Sequence, residues 1–142
     1  MANKHRISSN RDIDNVKVAL PSIDIETIGS GGGSISYVDV GRILRVGPQS
    51  AGADPGPACY GRGGTRPAVT DANVVLGYYD PRKFLGGRTD FDGEAAHRAV
   101  STIAVQLGCS VIEAAEGIQR IVNTQMAECA RIMSVRRGVD LR

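Results

Sequence analysis

Cysteine is scarce: Cys59, Cys109 and Cys129 are three in number, with no Cys-x-x-Cys pair. An odd count without paired spacing excludes a disulfide framework and gives zinc no ligand set. A reduced, cytoplasmic compartment is the expectation. No apolar run approaches the ~18–20 residues that cross a bilayer. The opening Met1-Ala2-Asn3-Lys4-His5-Arg6 lacks the apolar core of a secretory signal, so no membrane association is expected. Neither sign of charge dominates, since 17 Lys+Arg stand against 15 Asp+Glu for a net +2. That is too little to imply a nucleic-acid partner. Internal repeats and low-complexity tails are also absent.

What the 142 residues do have is glycine and proline in one place. Fourteen of the 18 glycines fall between Gly29 and Gly87, and five of the six prolines between Pro48 and Pro81. This middle third lacks the Ser/Glu/Lys padding of a tether and carries Val, Tyr, Cys and Ala that can pack, so it reads as an ordered, irregular loop. With hydrophobic residues at 42% and charged residues at 23%, one globular domain is expected rather than a disordered chain. A strand-forming N-terminal third with a helical C-terminal third predicts the class α/β, with α+β as the variant.

Strands are predicted in the N-terminal third. Val16-Lys17-Val18-Ala19-Leu20 and Ile23-Asp24-Ile25-Glu26-Thr27-Ile28 alternate with period 2. Ser34–Val40 and Arg42–Val46 form a hairpin with Gly41 supplying the turn. Together they predict a small antiparallel or mixed sheet of three or four strands.

The last third changes period. Asp92 caps a helix running to Leu107 and ended by Gly108. Ser110-Val111-Ile112-Glu113 is a capping box opening a second helix, closed by Gly138. Its apolar face runs from Ala114 through Ile118, Val122, Met126 and Cys129 to Met133. The short link between the two helices predicts an antiparallel hairpin. A further short helix, Asp71–Leu76, would be capped by Thr70 and stopped by Gly77.

Few residues offer chemistry. Gly29-Ser30-Gly31-Gly32-Gly33-Ser34 follows one strand and leads into another. Consecutive glycines can turn backbone N–H groups toward an anion. The same run also suits a bend where one backbone passes close to another. No Lys follows, as a Walker loop needs, and no helix follows, as a dinucleotide fingerprint needs. The nearest charges in sequence are Glu26 and Asp39, both of the wrong sign for a triphosphate. Cys59 has no histidine near it in sequence and reads as a buried structural thiol. Asp71 and Asn73 stand at a helix start, where capping is the expected role.

Five ordered strings go further. Asp24–Ile35, Arg45–Gly61, Thr70–Gly77, Asp80-Pro81 with Phe84–Gly87, and Ser134–Asp140 resemble, in the same order, the hydantoinase A/oxoprolinase family. The resemblance covers residues 16–142 as a single segment, and leaves residues 1–15 as a disordered or unrelated leader. It implies an ATP-using subunit acting on cyclic amides of hydantoin or 5-oxoproline type, or on ketones in the carboxylase branch. It also implies part of an actin/Hsp70-like ATPase lobe, with Mg²⁺ and ATP as cofactors of the full-length protein. A second, B-type subunit and the rest of its own subunit would be partners. By that resemblance Gly29, Ser30, Gly31, Gly32, Gly33 and Ser34 line the nucleotide cleft. The family's Asp-x-Gly-Gly-Thr and Gly-Gly-Ala-Gly motifs do not occur here, so the chain reads as an internal segment. On that reading it is inactive alone and no catalytic residue can be named; a purely structural or assembly role is the alternative.

Overall fold

The computed structural model describes residues 28–80, 91–136 and 138, with short stretches at 7–8, 11–13, 16–19 and 21–23. In chain order the elements are β1 (Ile7–Ser8), β2 (Arg11–Ile13), β3 (Val16–Val18), β4 (Ser22–Ile23), β5 (Ser34–Val38), β6 (Leu44–Ser50), α1 (Val69–Val75), α2 (Gly93–Leu107) and α3 (Val111–Arg136). A 3-10 turn at Ala58–Tyr60 interrupts the Gly/Pro segment. The class is mixed α/β, as expected.

The strands do not join into one sheet among the described residues. They form three antiparallel pairs: β1 with β4, β2 with β3, and β5 with β6. Two of these strands come from the expected leader, and residues 24–27 of the alternating run lie outside the described residues. The outer edge of β5 shows why no further strand is added there. The Ser36 N–H donates to the Pro67 carbonyl at 2.8 Å, and Ile35 bridges Ala68. The chain just before α1 thus occupies the hydrogen-bonding row that another strand would need.

The β5–β6 hairpin forms, but its turn is not made by Gly41. Arg42 takes the positive φ, 59°. Asp39 holds the turn, its Oδ1 accepting the N–H groups of Gly41 and Ile43 at 2.9 and 3.0 Å. These local hydrogen bonds offset the strain of a left-handed non-glycine residue.

Both long helices begin as their sequences dictate. Asp92 Oδ1 accepts the Ala95 N–H at 2.8 Å, and Gly108 at φ 71° ends α2. Ser110 and Glu113 form the reciprocal capping box of α3. The Ser110 N–H, then its hydroxyl, hold the Glu113 carboxyl below the ordinary carboxylate range.

The antiparallel packing of these helices is not what the structure has. The chain turns through 92° between α2 and α3. A three-residue link permits either arrangement, and the contacts of α1 and β6 choose. Ala114, Ala115, Ile118 and Val122 of α3 pack with Val46, Val69, Ala72, Val100, Ile103 and Ala104 in one core. Because α3 crosses rather than follows α2, its apolar stripe is buried only as far as Val122. Beyond it Met126 is 38%, Ile132 43% and Val135 72% exposed. No single described helix is long and apolar enough to cross a membrane.

Candidate functional site

Two clusters hold the chemistry-bearing residues. The first is Asp71, whose carboxylate is fully buried in α1. Its Oδ1 accepts the Cys59 N–H at 2.7 Å, and its Oδ2 accepts those of Ala68 and Ala58 at 2.8 and 3.2 Å. The helix start is therefore capped by Asp71 reaching back to Ala68, not by Thr70 as the sequence led us to expect. The same carboxylate ties the 3-10 turn of the Gly/Pro segment onto α1. Three N–H donors satisfy a buried carboxylate, so Asp71 is a structural clasp.

Cys59 lies under that clasp with no solvent exposure. Burial, then the Asp71 charge, pushes its thiol far above the usual thiol range. A group kept protonated in this way is a poor nucleophile. Cys59, Cys109 and Cys129 are all free thiols, and the latter two are half-buried. Alkylation of the folded chain at pH 8 is therefore expected to reach Cys109 and Cys129 first. Cys59 should lag by on the order of 100-fold and react only as the chain opens. Peptide mapping of a labelling time course checks this; equal rates at all three would contradict it.

The second cluster is the loop Gly29–Ser34 and the groove beside it. Ser34 Oγ closes the loop on itself, accepting the Gly31 N–H at 2.9 Å and donating to the Gly29 carbonyl at 3.3 Å. The Gly32 carbonyl accepts from the Thr70 N–H at 2.8 Å and from Thr70 Oγ1 at 2.9 Å, while the Gly33 carbonyl accepts from the Ala51 N–H at 2.8 Å. A Cβ on Gly32 would sit 2.8 Å from Thr70 Oγ1, and one on Gly33 2.8 Å from Ser50 Oγ. These two glycines are needed for close packing, which supports the bend reading of the run. The N–H groups of Gly32 and Gly33 meet no acceptor among the described residues.

Gly29 and Ser30 form one lip of an open groove of about 620 Å³, whose other walls are the β5–β6 hairpin and α3. Tyr37 and Arg45 pair across the hairpin and both line it. Asp39 does not line it. Arg45 Nε donates to Asp39 Oδ2 at 2.9 Å, and the Ile43 N–H, then Arg45, hold the Asp39 carboxyl below its ordinary range. The acid feared as repulsive is thus paired, and the groove itself carries the cation. Hairpin register alone would have found Arg45, because residues paired across two strands share a face. Gln125, the polar side chain of α3 at this groove, had no local signal. Glu26 lies outside the described residues. Among the described residues no group of three or more His, Cys, Asp or Glu stands close enough to hold a metal ion.

Comparison with known proteins finds relatives of this small α/β unit. The chain matches the hydantoinase/oxoprolinase family over residues 1–142. It is 47% identical over 136 residues to caprolactamase subunit alpha of Pseudomonas jessenii, covering 95% of this chain and 20% of that protein. Acetophenone carboxylase gamma subunit of Aromatoleum aromaticum is 46% identical over 132 residues, or 92% of this chain and 17% of that one. Among solved structures, the ATP-dependent caprolactamase of Pseudomonas jessenii superposes with a TM-score of 0.81 over 94% of this chain and 20% of its own, at 47% identity. Nucleotide-free acetone carboxylase superposes at 0.83 and 30% identity, over 95% of this chain and 19% of that one. The chain belongs to the hydantoinase/oxoprolinase family, and it spans about a fifth of the length of these relatives.

Proposed function

We propose that this chain is a segment of a cytoplasmic, ATP-dependent subunit that opens cyclic amides. In this reading the Gly29–Ser34 loop forms one wall of the nucleotide cleft. The observation that carries it is the 47% identity to caprolactamase subunit alpha over 95% of the chain. Further support comes from the groove. Arg45 lines it beside Gly29 and Ser30, and a guanidinium there suits a phosphate-bearing ligand. The Gly32 and Gly33 N–H groups, which meet no acceptor among the described residues, belong to the same loop but not to the groove lining. The fit is that of a wall only, since Thr70 and Ser50 fill the space behind the glycines. Residues 16–142 act as one unit in this reading. The rest of the subunit and a second, B-type subunit complete the site, and the segment alone is inactive.

Bound Mg-ATP would supply the phosphoryl group that turns an unreactive amide oxygen into a leaving group. What this chain's own residues do is hold the loop and keep a cation at its lip. A second reading, carboxylation of a ketone, is favoured by the 46% identity to the acetophenone carboxylase subunit.

The two readings separate in one assay. The intact subunit, with its partner subunit, is given Mg-ATP and either a lactam, hydantoin or 5-oxoproline, or acetone or acetophenone with bicarbonate. ADP release coupled to the ring-opened acid, an amino acid from a lactam or 5-oxoproline and an N-carbamoyl amino acid from a hydantoin, is the expected result. Coupling to a keto acid alone would replace the amide reading with the ketone one.

A further inference from the structure

Gln125 stands where α3 leaves the core, one turn beyond fully buried Val122 and next to Met126, which is 38% exposed. Its amide is used at both ends. Oε1 accepts from Ser30 Oγ at 2.7 Å, and Nε2 donates to the Val46 carbonyl at 3.1 Å. The partners lie 95 and 79 residues away in sequence. They also lie on either side of one backbone crossing, for Gly47 follows Val46 and a Cβ on it would sit 2.8 Å from the Gly29 carbonyl. Among the described residues this is the only side chain through which α3 hydrogen-bonds the loop.

The loop is held unequally. Its second half, Gly32–Gly33, is tied by backbone and hydroxyl donors from Thr70 and Ala51. Among the described residues its first half, Gly29–Gly31, is tied by hydrogen bonds only to Ser34 from within and to Gln125 from without. We infer that Gln125 is a positioning residue that fixes the first half of the Gly-rich loop against β6, and so sets the lip of the groove. Its role in nucleotide binding rests on the reading that this loop lines the cleft. The side-chain amide accepts from the Ser30 hydroxyl through one atom and donates to the Val46 carbonyl through the other, so both contacts are made at once. Glutamate can do the first and not the second, and methionine, of similar length, does neither.

The test uses the intact subunit with Gln125→Met and Gln125→Glu, followed by hydrogen exchange of the peptide spanning residues 28–36 without nucleotide. In Gln125→Met this peptide is expected to exchange about tenfold faster, the change set by losing a net hydrogen bond of ordinary strength. Residues 111–122 should be unaffected. Gln125→Glu keeps an acceptor for Ser30 but loses the donor to Val46, so its exchange should fall between those of the parent and Gln125→Met. A residue that merely stabilised α3 would raise exchange along the helix and not in the loop. Unchanged exchange of residues 28–36 in Gln125→Met overturns the inference.

The nucleotide reading is judged separately. In Gln125→Met the KM for Mg-ATP should rise severalfold while kcat changes less, because a loosened wall weakens binding before it affects chemistry. Faster loop exchange with an unchanged KM would leave the positioning role standing and remove the cleft reading.

Discussion

Replacing Asp71 with alanine is expected to destabilise the chain by about 3–5 kcal/mol, the largest effect of any single substitution considered. The carboxylate has no solvent exposure and accepts three backbone N–H groups, from Ala58, Cys59 and Ala68. Truncation leaves those donors buried without acceptors, frees the 3-10 turn from α1 and uncaps the helix start. Asp71→Asn keeps the shape and one acceptor oxygen but turns an NH₂ toward N–H donors, so a smaller loss of about 2 kcal/mol is expected. Urea denaturation followed by circular dichroism measures both. A loss under about 1 kcal/mol for the alanine variant would mean that the clasp is dispensable.

The second large effect falls on the crossing beneath the groove. Gly47 sits at φ 68°, and its missing Cβ would stand 2.8 Å from the Gly29 carbonyl. A left-handed conformation costs an L-residue about 1–2 kcal/mol, and here the obstacle is backbone rather than a flexible side chain. Gly47→Ala is therefore expected to lose about 3 kcal/mol and to push the entry of the Gly-rich loop away from β6. Gly31→Ala is the internal control. Nothing lies within 4 Å of its added Cβ, so its stability should stay within about 0.5 kcal/mol of the parent. Equal losses at the two positions would show that general loop rigidity, not this contact, governs the region.

The fold was legible wherever short-range chemistry decides structure. The Asp92 cap, the Gly108 stop and the Ser110/Glu113 box act over one turn, and each stands where its spacing placed it. The β5–β6 hairpin was legible for the same reason, although Asp39, not Gly41, organises its turn. Long-range geometry was not. The 92° turn between α2 and α3 depends on how α1 and β6 fill the angle between them, and a three-residue link carries no trace of that.

The loop shows the same division. Its glycines were visible at once. Their packing reason lies in Thr70 and Ser50, and its clamp in Gln125, all brought there by the fold. Asp71 was read as a helix-start acid, which it is. Its hold on Ala58 and Cys59 depends on the path of the Gly/Pro segment, and periodicity does not encode that path.

The most direct measurement is hydrogen exchange of residues 29–34 with and without Mg-ATP, made on the intact subunit and on the 142-residue chain. A nucleotide cleft grips from two sides, and one Gly-rich wall with, among the described residues, one guanidinium in the groove beside it holds a triphosphate poorly. Mg-ATP should slow exchange at residues 29–34 in the intact subunit and leave the 142-residue chain unchanged at millimolar nucleotide. Unchanged exchange in the intact subunit would contradict the placement of this loop at the nucleotide, and saturable protection of the chain alone would make the loop a self-sufficient site.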